Sequence, residues 1–202
     1  MFAVNSNGTG FTNVHTFNAL SIGPPYPRTN SDGANPHAGL TLWDNTLFGT
    51  AETGGSSGYG TVFALNTDGT GFTNLHSFPA TAATETGLAY TNTDGATPRG
   101  GLLLSGNTLY GTAASGGSGG VGTVFSLSFR PQLTITPSGT NFTLSWPTNV
   151  AGFDCTGYVL QSTTNFGSWV WTTNSPAPVV VNGQNTMTNP ISGTKQFFRL
   201  RQ

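Results

Sequence analysis

The chain alternates runs of four to eight residues rich in Val, Leu, Ile, Phe and Thr with short clusters of Gly, Asn, Asp and Ser. No window carries a sustained i, i+3, i+4 apolar stripe, so the pattern predicts strands and almost no helix. Residues 39–78 hold four such runs, at 40–43, 46–52, 60–66 and 71–78. Asp44 and Asn45 separate the first pair, the glycine-rich TGGSSGYG the second, and Thr-Asp-Gly at 67–69 the third. Asp and Gly tolerate the positive φ that tight hairpins require, so adjacent runs are expected to pair antiparallel.

The same order recurs. GLTLWDNTLFGTAETGGSSGYGTVFAL at 39–65 matches GLLLSGNTLYGTAASGGSGGVGTVFSL at 101–127, an offset of 62. FAVNSNGTGFTNVHTF at 2–17 matches FALNTDGTGFTNLHSF at 63–78, an offset of 61. The connectors match too: NSDGANPHAGL at 30–40 against NTDGATPRGGL at 92–102. A four-stranded antiparallel unit repeated in tandem is the blade of a β-propeller. Stacked blades bury both faces of their strands, which accounts for Thr-Val-Phe-Ala-Leu being apolar on both sides. Gly49 and Gly111 fall inside strands, where a missing Cβ permits close approach.

The order L-Y/F-G-T, Gly-Gly, G-T-V-F-x-L and G-F-T-x-L-H-x-F resembles a kelch-type blade. It is more closely similar to the bacterial GloVer tandem repeat of large choice-of-anchor surface or secreted proteins. The resemblance spans about residues 1–129, with longer connectors and about two units where a closed ring needs at least four. It implies half a blade at 1–17, a full blade at 39–78 and a partial blade at 101–129. The chain reads as N-terminally truncated: no signal peptide follows Met1, and Phe2 already opens a strand. The open end of such a stack is expected to be apolar and prone to association.

Past Arg130 and Pro131 the rhythm changes. LTITP, NFTLSWP, GYVLQSTT, WVWTT, VVVNG, NTMTNPI and QFFRLRQ are short strands about ten residues apart, the pattern of a β-sandwich over 130–202. Leu-Ser-Trp-Pro at 144–147 resembles the early-strand Trp of fibronectin type III-like modules. The fold class is therefore all-β: a partial, about two-blade kelch-like propeller region plus a small C-terminal sandwich.

Charge narrows the function. Six Lys and Arg stand against seven Asp and Glu in 202 residues, 6% where about 25% is usual. Six cations cannot supply a nucleic-acid face. No apolar run approaches the roughly 20 residues of a membrane span. Residues 1–129 carry two Arg and six acids, net −4; residues 130–202 carry four cations and one acid, net +3.

Candidate chemistry is thin. G-x-S-x-G occurs at 54–58 and 116–120, but a nucleophile elbow needs a strand before it and a helix after it. His15 and His76 share a repeat position and read as hydrogen-bonding wedges. Asp32, Asp68 and Asp94 in Asn-x-Asp-Gly read as turn formers, since a Ca²⁺ loop needs further oxygen ligands. Glu52 and Glu85, the only glutamates, mark no hydrolytic pair. Cys155, the single cysteine, reads as a packed residue. No catalytic residue, metal or cofactor is assigned.

The connectors at 18–38 and 79–100 are long for a compact domain, and long loops are often functional. Their Tyr26, Arg28, Asp32, His37, Tyr90, Asp94 and Arg99 are the candidate ligand-binding residues, able to stack on and hydrogen-bond a sugar or peptide. Lys195, Phe197, Arg199 and Arg201 alternate onto one strand face, a cationic surface for cell-envelope polyanions. The expected function is a non-enzymatic, secreted or cell-surface scaffold for adhesion or ligand binding, with a glycan or cell-envelope polymer as partner. The alternative is a fragment of a carbohydrate-active enzyme whose catalytic part lies outside this chain.

Overall fold

A computed structural model describes residues 1–22, 27–151, 153–167, 169–191 and 195–202. Among them every regular element is a strand, all pairings between strands are antiparallel, and no sheet closes into a barrel. The chain divides into two compact units, Met1–Ser128 and Phe129–Gln202.

In the first unit a short hairpin pairs β1 (Phe2–Ala3) with β2 (Thr12–Asn13). A four-stranded meander follows: β3 (Thr41–Trp43), β4 (Thr46–Ala51), β5 (Thr61–Asn66) and β6 (Thr73–Ser77). The strands lie within a residue or two of the apolar runs that predict them. Asp44 adopts φ 50° between β3 and β4, as the turn requires. A second small hairpin, β7 (Ala82–Ala83) and β8 (Tyr90–Thr91), lies in the next connector.

The second repeat contains β9 (Ala96–Pro98), β10 (Leu103–Ser105), β11 (Thr108–Ser115) and β12 (Thr123–Ser128). Registers repeat along with sequence: Gly49 faces Phe63 and Gly111 faces Phe125. Ala34 bridges Thr53 as Ala96 pairs Ser115. Phe2 faces Asn13 as Phe63 faces Asn74. One element does not repeat. Among the described residues β12 has β11 on one side and no strand on the other, whereas β5 lies between β4 and β6.

The two repeat sheets touch. Thr41 Oγ1 donates to the Leu102 carbonyl at 2.5 Å and Thr50 Oγ1 to that of Gly100 at 3.1 Å. The Phe78 and Phe125 rings meet edge to face at 5.2 Å. Phe48, Ala51, Phe63, Leu65, Phe78 and Leu109 form the buried core, with Phe17 and Phe72 packed against Phe63.

In the second unit β13 (Thr134–Ser138), β14 (Asn141–Pro147), β20 (Gln184–Pro190) and β19 (Val179–Val181) form one sheet. β18 (Thr172–Thr173), β17 (Val159–Thr163) and β21 (Phe197–Arg201) form a second. β15 (Asn149–Val150) and β16 (Phe153–Asp154) make a short hairpin. Leu144, Trp146 and Met187 of the first sheet cluster with Leu160 of the second, and Phe142, Tyr158, Phe198 and Leu200 pack around them. The Trp of Leu-Ser-Trp-Pro is thus the centre of a core. Cys155, just after β16, is buried, and burial pushes its thiol above the ordinary value.

Candidate functional site

The repeated Asn-x-Asp-Gly connectors build the same polar lock twice. Asn30 Nδ2 donates to the carbonyls of Asn18 and Gly33 at 2.9 and 2.8 Å. Its Oδ1 accepts from the backbone N–H of Gly33 and Gly55, both at 2.9 Å. Asn92 repeats this with Pro79, Gly95 and Gly117, at 2.8 to 3.0 Å. The glycine-rich loops holding G-x-S-x-G are therefore tied to the connectors, and no helix follows them.

Each lock carries a His–Asp pair. His15 Nε2 lies 3.1 Å from Asp32 Oδ2, and His76 Nε2 lies 3.2 Å from Asp94 Oδ2. The backbone carbonyls of Asp32 and Asp94 accept from Thr61 Oγ1 and Thr123 Oγ1. Turn formation is thus only part of what these aspartates do. Asp68 differs: it caps its own hairpin through Thr70, whose hydroxyl and amide hold the carboxyl below its ordinary value.

The two pairs have unequal surroundings. His15 stacks on Phe72 at 4.0 Å with planes 8° apart, and Phe72 stacks on Phe63 at 5.5 Å. His76 meets Phe78 edge to face at 5.0 Å, but the repeat offset puts Thr134 where a counterpart of Phe72 would stand, and the chain has by then entered its second unit. In place of that ring is a cleft of about 410 Å³ lined by Val62, His76, Phe78, Asp94, Phe125 and Leu127, among others.

The sequence candidates divide accordingly. Asp32, expected on an open binding loop, is 3% exposed and consumed by His15 and by the Asn18 amide. His37 and Arg99, at equivalent repeat positions, converge on Glu52: His37 Nε2 lies 2.8 Å from Oε2, and Arg99 donates to Oε1 through Nε at 2.9 Å and a terminal nitrogen at 2.6 Å. These bonds, chiefly from Arg99, hold the Glu52 carboxyl below its ordinary value. Glu52 has no counterpart in the second repeat, where Ala114 stands at its position, and its partners come from two different repeats. Of the candidates among the described residues, Asp94 lines the cleft. Tyr90 and Arg28 are exposed on their connectors, and Tyr26 lies outside the described residues.

A second surface lies in the second unit. Trp169, Trp171, Arg199, Leu200 and Arg201 line a shallow groove of about 420 Å³. Trp169 is 98% exposed. The Arg199 guanidinium sits 4.2 Å from the centre of the Trp171 ring, and its Nε and a terminal nitrogen donate to Gln161 Oε1 at 3.0 and 2.9 Å. Of the expected cationic face, Arg199 and Arg201 alternate outward along β21 as period two requires. Phe197 is half-buried against Phe166, and Lys195 is exposed before the strand begins. The two tryptophans were the missed part of this face. They read as strand residues in WVWTT, whereas the strand there is only Thr172–Thr173.

No family model matches this chain, and no curated protein or solved structure matches it significantly.

Proposed function

We propose that this chain is a non-enzymatic scaffold of the cell surface or extracellular space. On this reading Met1–Ser128 is a run of kelch-like propeller blades of the GloVer type, Phe129–Gln202 is a fibronectin type III-like sandwich, and the molecule adheres to a glycan or an anionic cell-envelope polymer. The observation that carries the reading is the groove of Trp169, Trp171, Arg199 and Arg201. An indole 98% exposed leaves its whole apolar face in water, and covering a large apolar side chain is worth about 1.5–3 kcal/mol. The C–H face of a sugar ring can cover it. The guanidinium groups offer forked donors to hydroxyls or carboxylates, and Arg199 is already oriented by Gln161 and Trp171. Net +3 over residues 130–202 favours an anionic polymer.

Binding rather than turnover is further supported by the carboxylates. Glycoside hydrolysis needs two acids facing one bond. Asp94 is the one acid among the residues lining the first unit's cleft, and none lines the groove. The test is an array of neutral and anionic glycans together with a hydrolase screen on the intact chain. Retention is expected on a subset of glycans, weakened about tenfold by Trp169→Ala, the cost of roughly 1.4 kcal/mol of lost stacking. Turnover of any glycan, or no retention on any, would sink the reading.

A further inference from the structure

The free edge of β12 is shaped for a strand this chain possesses elsewhere. β5 and β12 read Thr-Val-Phe-Ala-Leu and Thr-Val-Phe-Ser-Leu. β5 is covered by β6, which brings Phe72 with it, and Val62 is 1% exposed. Among the described residues β12 has no such strand, and its Val124 is 80% exposed. The sequence that covers β5, GFTNLHSF at 71–78, occurs once more, as GFTNVHTF at 10–17. There it is held by β1, which contributes two paired residues where β12 offers a strand of six. Phe11, the counterpart of Phe72, is 69% exposed and stacks on Phe2 at 5.3 Å.

We infer that β12 takes residues 10–17 of a second copy of this chain as its fourth strand, the second copy's Phe11 filling the cleft beside His76. The register of β5 with β6 defines the joint. Phe63 faces Asn74 and Ala64 faces Thr73, so Phe125 faces the second copy's Asn13 and Ser126 the second copy's Thr12. The second copy's β1 is displaced, since β12 occupies its place. With β1 go the hydrogen bonds of Met1 to Val14 and His15 and its packing on the Phe63 core, but the His–Asp pair stays: in the first repeat the strand's His76 reaches forward to Asp94 of the connector that follows it, and the second copy's His15 reaches forward to its own Asp32 in the same way. The contact is head to tail, with different surfaces on the two partners, so it propagates into an open chain of copies unless the rotation closes. This goes beyond the adhesive reading and uses a different surface.

The test is the mass of the 202-residue chain by light scattering over a rising concentration series. Oligomers in multiples of 20.9 kDa are expected. Val124→Glu puts a charge on the joint at a side chain that is exposed in the single copy, and Phe11→Ala removes the plug. Each is expected to weaken association roughly tenfold or more with the circular dichroism spectrum unchanged. Mixing a Thr12→Cys chain with a Ser126→Cys chain is expected to give a disulfide-linked pair on oxidation, because directly opposed residues lie within disulfide reach. Thr12→Cys mixed with Ser128→Cys, two residues out of register, is expected to give none. A chain that stays at one copy throughout, or an association indifferent to both Val124→Glu and Phe11→Ala, overturns the inference. So does equal crosslinking in the two mixtures. Trp169→Ala chains are expected to associate normally, so loss of glycan binding and loss of association report on the two readings separately.

Discussion

Asn30 and Asn92 each satisfy four backbone groups with one amide, which makes them the residues that fix the connectors to the glycine loops. Replacing Asn30 by Ala leaves Gly33 and Gly55 without their acceptor, at a cost of about 1–3 kcal/mol, to be read by urea unfolding. Gly49 answers to sterics instead. A Cβ there would stand 2.5 Å from the Phe63 ring and 2.7 Å from Leu40. Gly49→Ala is expected to cost about 1–3 kcal/mol through overpacking. Glu52 adds a pH dependence. Its carboxyl is held below its ordinary 4.5 by Arg99 and His37, so the folded state binds that proton less readily than the unfolded chain. The resulting stability is full above the ordinary carboxylate value and is lost as pH falls through the lower folded value. Glu52→Gln is expected to flatten that acid limb, measured as melting temperature against pH. The crowded glycines were legible as glycines inside strands. The His–Asp pairs were not: each residue was visible as a repeat, but 17 or 18 residues separate the partners, and only the fold brings them together.

Repeated elements with unequal neighbours give a controlled comparison. Phe63 and Phe125 share sequence context and face Gly49 and Gly111, yet Phe63 is fully buried and Phe125 half-buried. Phe63→Ala is expected to cost about 3–5 kcal/mol, as for a core aromatic, and Phe125→Ala clearly less, the two read side by side by chemical denaturation. Strands of the first unit were legible because each is bounded by turn residues of definite conformation, such as Asp44 and Gly106, both at positive φ. WVWTT was misread as a strand because β-propensity favours Trp and Val wherever they occur. There the backbone pairs only through the two threonines, against Gln161 and Ser162. The missing partner of β12 was legible in outline, since the third copy of the repeat stops after its TVFSL strand.

At the scale of the molecule, two units each hold a core of their own: Phe48, Phe63 and Leu65 in one, Leu144, Trp146 and Met187 in the other. A core substitution is therefore expected to lower one thermal transition and spare the other. Trp146→Ala, at about 3–5 kcal/mol, should affect the second unit's transition alone in calorimetry, and a single shifted transition for the whole chain would contradict this. The distribution of tryptophan has a spectroscopic consequence. Trp146 is completely enclosed and Trp169 almost completely bare. A polar quencher such as iodide should reach the fluorescence of Trp169 and leave that of Trp146 untouched. Loss of quenching on adding a polymer then signals a covered groove, whereas a red shift with gain of quenching signals a melted core. Trp43 of the first unit, 45% exposed, is also open to iodide, so with its signal removed by Trp43→Phe the groove pair Trp169 and Trp171 reports occupancy and Trp146 reports folding, without a label.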